Sequence, residues 1–406
     1  MSHTVRVRAA EAVGFSLVEL LIATMVLLVV TGGVLRLVSP AGNAFAAQPE
    51  AADLQQRLRV GVDALRRELL MAGAGTYTGS PVGPLVYRFA PILPHSVGPL
   101  VPGSPDRPDA AVLTLMYVPS TPAQTTTSTD LTSEGVELRV RGQPGCPVGD
   151  VLCGFRQGMH VVIFDAFGRY DVFTIASVSA DAMRLRHRDD RFTTPYPAGS
   201  FITELVSRTF YLDASERRLY SYDGFRSNLP VLDNVVGLAF EYFGEPSPPA
   251  LRPAAVGVAA PTTTYGPRPP PLMVDTTGDD WGAGENCTFR VSDGVQVGRL
   301  ADWSGGGAPG RLVPIPYTQV NDGPWCPGVT DAAGAALSTR FDADMLRVRR
   351  VRVTLRVQAG TEALRGANPA GQVLFIHPGP ARQGGRIVPD QEVRFEVTPR
   401  NMNVGR

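Results

Sequence analysis

The sequence predicts an α+β fold: a long N-terminal α-helix, first membrane-spanning and then amphipathic, packed on an antiparallel β-rich globular head. Three features predict it. Phe15 to Val38 is an apolar run of 24 residues. Leu54, Leu58, Val62, Leu65 and Leu69 recur at helical spacing. From about Leu85 the pattern changes to short β-branched and aromatic runs bounded by Gly, Pro and Asp, with no further alternation of helix and strand.

Composition sets the outer limits. The 406 residues are 44% hydrophobic and 19% charged, which is a globular rather than a disordered balance. Gly 43 and Pro 36 make the chain loop-rich. The formal net charge of zero argues against a dedicated nucleic-acid binder, where a basic excess supplies most of the affinity. All 38 basic residues are Arg, which reads as a composition bias rather than a function.

The apolar run comes first in the argument. As a helix it spans roughly 36 Å, enough for a bilayer core of about 30 Å. Its only ionisable residues are Glu19 and Arg36. Arg36 lies near the outer end and can snorkel to the interface. Arg6 and Arg8 in the short leader place the N-terminus on the cytoplasmic side and everything after Val38 outside. Four cysteines agree with an oxidising exterior. Spacing pairs Cys146 with Cys153 and Cys287 with Cys326, although four cysteines allow three pairings. Zinc ligation wants closer pairs than these.

Glu19 is the anomaly of the segment. A carboxylate at mid-bilayer costs a few kcal/mol. Arg36, 17 residues away, cannot reach it along the helix. Its counter-charge must come from outside the segment.

Gly14, then Phe15-Ser16-Leu17-Val18-Glu19, then an uninterrupted apolar helix, resembles the type IV prepilin family. The resemblance implies that a membrane peptidase cuts after Gly14 and methylates Phe15. It also implies that Glu19 docks on the N-terminal amine of a neighbouring subunit, which supplies the missing cation. Asn234 to Phe243 looks like a strand of PilW-type minor pilins and J-type pseudopilins, and the long strand after Met345 sits late in the chain as theirs does. The clear resemblance covers about the first 75 residues. The competing reading is a secretory signal: Arg6 and Arg8 as its basic region, Leu20 to Leu35 as its apolar core, and Ala44-Phe45-Ala46 as its cleavage site. That reading leaves Glu19 without a role.

Residues 1–14 are thus the leader, 15–38 the membrane helix, 39–75 the amphipathic helix region and 76–406 the extracytoplasmic head. Pro40, Gly42 and Asn43, after Gly32 and Gly33, predict a kink or melted stretch over Ser39 to Gln48, since a mid-helix proline costs about 3 kcal/mol. Pro49, Glu50 and Asp53 suit the start of a second helix, which glycine caps near Ala72-Gly73. Strands are expected at Ala111–Val118, Val136–Val140, Met159–Phe164, Tyr170–Ser177, Met183–His187, Phe201–Leu212, Arg218–Tyr222, Val235–Phe243, Arg350–Gln358 and Gln391–Thr398. In the ninth, Val351, Val353, Leu355 and Val357 alternate with Arg350, Arg352, Thr354 and Arg356. Val348 is out of phase, which predicts a bulge near Arg349-Arg350. The Arg row reads as a solvated face paired with carboxylates.

A Pro/Gly-rich insertion occupies about 245–344, with nine prolines between Glu245 and Pro271. Asp275, Asp279, Asp280 and Glu285 offer oxygen ligands to Ca²⁺, but their spacing is not that of an EF-hand, and a solvated acidic loop is the plainer reading. Thr121 to Thr132 is a polar exposed loop. Asn286-Cys287-Thr288 matches a glycosylation sequon. No G-x-S-x-G, P-loop or H-E-x-x-H is present, and His3, His95, His160, His187 and His377 are scattered. Neither catalysis nor a cofactor is expected. The resemblance implies a minor pilin that resides in the inner membrane with a periplasmic head and then moves to the pilus or cell surface. Its partners would be prepilin peptidase, other major and minor pilins and an inner-membrane assembly platform. A type II secretion pseudopilin and a secreted β-rich adhesin are the alternatives.

Overall fold

The computed structural model describes residues 16–75, 89–94, 110–143, 146, 150, 152, 154–166, 169–180, 184–187, 192, 194–224, 227–247, 262–263, 266–267, 283–285, 289–298, 311–315, 326–330, 336–341, 343–365 and 388–403. The fold is α+β. Helix α1 (Leu17–Met71) opens the chain. The strands that follow are β1 (Ile92–Leu93), β2 (Val112–Tyr117), β3 (Gln124–Thr126), β4 (Glu137–Arg139), β5 (His160–Phe164), β6 (Tyr170–Ser179) and β7 (Arg184–His187). Next come β8 (Phe201–Glu204), β9 (Val206–Asp213), β10 (Arg218–Tyr222), β11 (Asn228–Asp233) and β12 (Val235–Gly244). The insertion carries β13 (Thr262–Thr263), β14 (Gly266–Pro267), β15 (Phe289–Ser292), β16 (Val295–Gly298), β17 (Val313–Ile315), β18 (Cys326–Thr330) and β19 (Ala336–Phe341). Strand β20 (Val348–Val357), the short α2 (Glu362–Arg365) and β21 (Gln391–Val397) close the chain.

Two compact units result. One comprises Met1–Leu54 with Ala359–Pro389, and the other Gln55–Gln358 with Asp390–Arg406. In the first, Ala47 and Leu54 are buried. Glu50 accepts hydrogen bonds from the Gly360 N–H and from Thr361 Oγ1, the latter at 3.0 Å. Arg365 Nε donates to the Ala359 carbonyl at 2.6 Å. Glu50 is therefore a mid-helix anchor for the loop before α2, not the start of a second helix. The break expected over Ser39 to Gln48 is absent: α1 is continuous through it. Proline removes only its own donor and crowds the preceding turn, so its cost is local, and helix resumes on both sides.

In the second unit the helix stripe is buried at Leu58, Leu65, Leu69 and Ala72. Between them the buried position is Gly61; Val62, expected on the stripe, is only half-buried. A Cβ on Gly61 would meet Leu232 Cδ2 at 2.9 Å and Leu355 Cδ2 at 3.0 Å, so any side chain there would have to displace these two leucines. The helix ends where glycine predicts. Gly73 has φ 72°, and its N–H donates to the Met116 carbonyl at 3.0 Å. Tyr117 donates to Glu68 Oε2 at 3.0 Å, and burial together with the Glu68 charge pushes its pKa up to about 12.

Three antiparallel sheets make the body of this unit. The order β1-β2-β9-β10-β11 forms one and β17-β12-β20-β21 a second. In the second sheet, Leu238, Phe240 and Tyr242 of β12 and Val351, Val353, Leu355 and Val357 of β20 are buried. The pairs Phe243↔Arg350 and Gly244↔Val348 leave Arg349 as the extra residue, which is the expected bulge. The third sheet, β3-β8-β5-β6-β7-β4, closes on itself. Ser128 N–H donates to the Arg139 carbonyl at 2.8 Å, Arg141 N–H donates to the Thr126 carbonyl at 2.9 Å, and Thr127 bridges Val140 between them. The result is a six-stranded barrel inserted between β2 and β9. It is filled by side chains that include Leu138, Val140, Val161, Ile163, Phe173, Ile175, Leu185 and Ile202. The single strand expected over Phe201–Leu212 is two: at buried Leu205 the chain leaves the barrel and enters the five-stranded sheet.

The insertion leaves after β12 and returns before β20, two strands that pair directly. Its neck is held by Arg347, which is 1% exposed. Arg347 Nε donates to the Glu245 carbonyl at 2.9 Å, Nη1 donates to Asp344 Oδ1 at 3.1 Å, and Nη2 donates to the Pro246 carbonyl. Arg349 adds a bond to Glu245 Oε1 at 3.1 Å. A Cβ on Gly244 would strike the Arg347 carbonyl, so only glycine fits there.

Two substitutions check this packing. Gly61→Leu should lower stability by about 2 kcal/mol through overpacking, whereas Val60→Leu on the exposed face should stay within about 0.5 kcal/mol. Arg347→Ala should cost about 3–5 kcal/mol, because it removes a buried cation that bonds Asp344 and the Glu245 and Pro246 carbonyls at the neck. Both are read from denaturant unfolding. A loss below about 1 kcal/mol for Arg347→Ala would contradict its assigned role.

Candidate functional site: the exposed N-terminal helix

Leu17–Leu35 has a mean hydropathy of 2.4, and none of it is buried by the rest of the chain. This is one helix long and apolar enough to span a membrane. Leu20, Leu21, Ile22, Met25, Leu27 and Leu28 are each more than half exposed. Thr24, on the following turn, satisfies its hydroxyl by donating to the Leu20 and Leu21 carbonyls at 3.0 and 2.9 Å.

The helix begins with a reciprocal cap. Ser16 Oγ accepts from the Val18 N–H at 3.3 Å, and Glu19 Oε2 accepts from the Ser16 N–H at 3.1 Å. Ser16-x-x-Glu19 is a capping box, a signal legible in the sequence that charge reasoning about Glu19 passed over. Glu19 thus satisfies one orphan donor and sits at the positive end of the helix dipole. The cap uses one carboxylate oxygen of a side chain that otherwise lies on an apolar face. Glu19, Ile22, Ala23, Val26, Leu27 and Val30 line a shallow groove along that face. The small Ala23 lies at its centre, and Glu19 is its only ionisable member.

The other expected site residues divide by position. Gly14 and Phe15 lie outside the described residues. Cys146 is disulfide-bonded, and among the described residues no cysteine is free. Cys153 and Cys287 lie outside the described residues; Cys326 is the first residue of β18. Of the acidic candidates, Asp275, Asp279 and Asp280 lie outside the described residues. Glu285 accepts from the Val291 N–H at 2.8 Å. Among the described residues no group of three His, Cys, Asp or Glu side chains is placed to hold a metal ion. His160 Nδ1 bonds Thr174 Oγ1 at 2.9 Å, and His187 Nε2 bonds the Gly135 carbonyl at 2.7 Å, so each lies within a strand network.

The Arg row of β20 is paired. Arg350 meets Glu396 at 2.9 Å, Arg352 meets Glu396 at 2.6 Å and Glu241 at 3.0 Å, and Arg356 meets Asp390 at 2.7 Å. Hydrogen bonds from Arg352 hold the Glu396 carboxyl below the usual carboxylate range. Arg352 also lies 4.6 Å over the Phe243 ring. These guanidiniums are engaged within the sheet. No protein-family model matches the chain, and no curated protein matches it.

Proposed function

We propose that this chain is a minor pilin-type subunit of the PilW kind. Prepilin peptidase cuts between Gly14 and Phe15 and methylates Phe15. The Leu17–Leu35 helix holds the protein in the inner membrane, N-terminus inward and head in the periplasm. An inner-membrane assembly platform then moves it into a filament with other major and minor pilins, where it is incorporated or primes assembly. The observation that carries this reading is a lone carboxylate, Glu19, at the edge of an apolar helix face that none of the described residues covers. A neighbouring helix of the same kind would cover that face, and its N-terminal amine would neutralise the acid.

A type II secretion pseudopilin would share the processing and the helix; the genes beside this one discriminate the two machines. The secreted-adhesin reading is less favoured. Its cleavage site, Ala44-Phe45-Ala46, falls inside the continuous α1, and Ala47 immediately after it is buried.

The capping box supplies a discriminating test. Glu19→Gln keeps an acceptor for the Ser16 N–H but removes the charge; Glu19→Ala removes both. If Glu19 docks a cationic N-terminus, both variants lose filament incorporation about tenfold or more while the head stays folded, since a lost charge-assisted bond is worth about 1.5–3 kcal/mol. Wild-type incorporation of Glu19→Gln would reduce Glu19 to a helix cap.

A further inference from the structure

We propose that the outer wall of the barrel at β4 and β7 binds an acidic polysaccharide through Arg139, Arg141, Arg184 and Arg186. The inference is independent of how the N-terminus is processed. Leu138, Val140, Leu185 and His187 are buried inside the barrel, so the alternating residues face outward. Register places Arg139 directly opposite Arg184, and Arg186 opposite Glu137. On the next strand Ser179 lies opposite Arg184 and Ser177 opposite Arg186. Across the barrel seam, Ser128 adjoins Arg139 and Thr126 adjoins Arg141. Neighbouring strands are about 4.8 Å apart, and alternate residues along a strand about 6.8 Å. Four guanidiniums therefore share one small area, edged by hydroxyls.

The charge of this area is not balanced from within. Glu137 is the only carboxylate on the two strands, and it meets Arg184 at 3.2 Å with both side chains 40% or more exposed. Among the described residues Arg139, Arg141 and Arg186 form no ion pair. The row on β20 is the opposite case, each of its guanidiniums holding a carboxylate. Like charges facing each other across a strand pair destabilise it. Glu137 offsets Arg184, which leaves Arg139, Arg141 and Arg186 as the charges an external anion would meet.

The chemistry selects the anion. Planar guanidiniums receive carboxylates bidentately, and flanking serines exchange hydrogen bonds with sugar hydroxyls. The outward positions of β4 and β7 carry no aromatic ring, so bases would find no stacking platform. A carboxylated sugar polymer fits where a nucleic acid does not.

The test measures binding of the full-length chain, in neutral detergent, to polygalacturonate, dextran and duplex DNA. Polygalacturonate should bind, more weakly as salt shortens the Debye length below about 8 Å. Arg139→Gln/Arg141→Gln/Arg186→Gln should weaken it about tenfold, from three surface contacts worth up to about fivefold each. Arg59→Gln/Arg66→Gln/Arg67→Gln, which removes equal charge from exposed positions of α1, should bind as wild type. Circular dichroism should show the barrel variant folded; if it is not, Arg186→Gln alone should still weaken binding about threefold. Absence of binding, equal binding of dextran, tighter binding of DNA, or an equal loss in the α1 variant would each overturn the proposal.

Discussion

Thirteen large apolar side chains between Leu17 and Leu35 are each more than half exposed, and none of the described residues covers them. Each forgoes about 1.5–3 kcal/mol relative to burial, so together they exceed the whole stability of an ordinary domain, about 5–15 kcal/mol. The segment is long and apolar enough to span a membrane, and a membrane or neighbouring helices would cover it. Glu19 adds a direction to that constraint. It caps the helix start, yet it places a carboxyl group at the edge of the apolar face. A medium that accepts the leucines rejects the carboxylate unless a cation comes with it. A filament of like helices, each with an N-terminal amine, meets both demands.

The rest of the chain gives this helix a body to carry. From Leu58 onward its stripe is buried, and Gly61 lets the backbone approach Leu232 and Leu355 directly. The helix end is bonded to β2 through Gly73 and Ala74. Beyond it the head grows by excursion. A closed barrel is inserted between β2 and β9, and a Pro-rich excursion between β12 and β20. Each excursion returns to a strand that pairs with the one it left, or with its neighbour. The direct β2–β9 and β12–β20 pairings hold the points of departure and return together, and the second excursion adds β17 to the edge of its sheet. Arg347 guards the second departure point by bonding both ends of the neck.

Much of this was legible in the sequence. β-Branched and aromatic runs bounded by Gly, Pro and Asp located β2, β5, β6, β10, β12 and β21, alternation gave the two faces of β20, and the phase error at Val348 located the bulge at Arg349. Gly73 marked the helix end. Other features were hidden for definite reasons. Barrel closure is made by backbone bonds between 126–128 and 139–141, and backbone bonds leave no residue signature. Gly61 was missed because hydropathy scores side chains, and what matters there is the lack of one. Arg347 resembled its neighbours in an Arg-rich run, although it is buried and they are not. Local penalties at Pro40 predicted a break that a continuous helix overrides. The Ser16–Glu19 cap was readable and was eclipsed by the question of where the charge goes.

The central claim, that the apolar helix begins at a processed and methylated Phe15, is tested most directly by the mass of the N-terminal peptide of the protein purified from its own cells. The account predicts a peptide that starts at Phe15 and is one methyl group heavier than its sequence. A peptide that starts at Ala47, or one that retains the residues before Phe15, would contradict it.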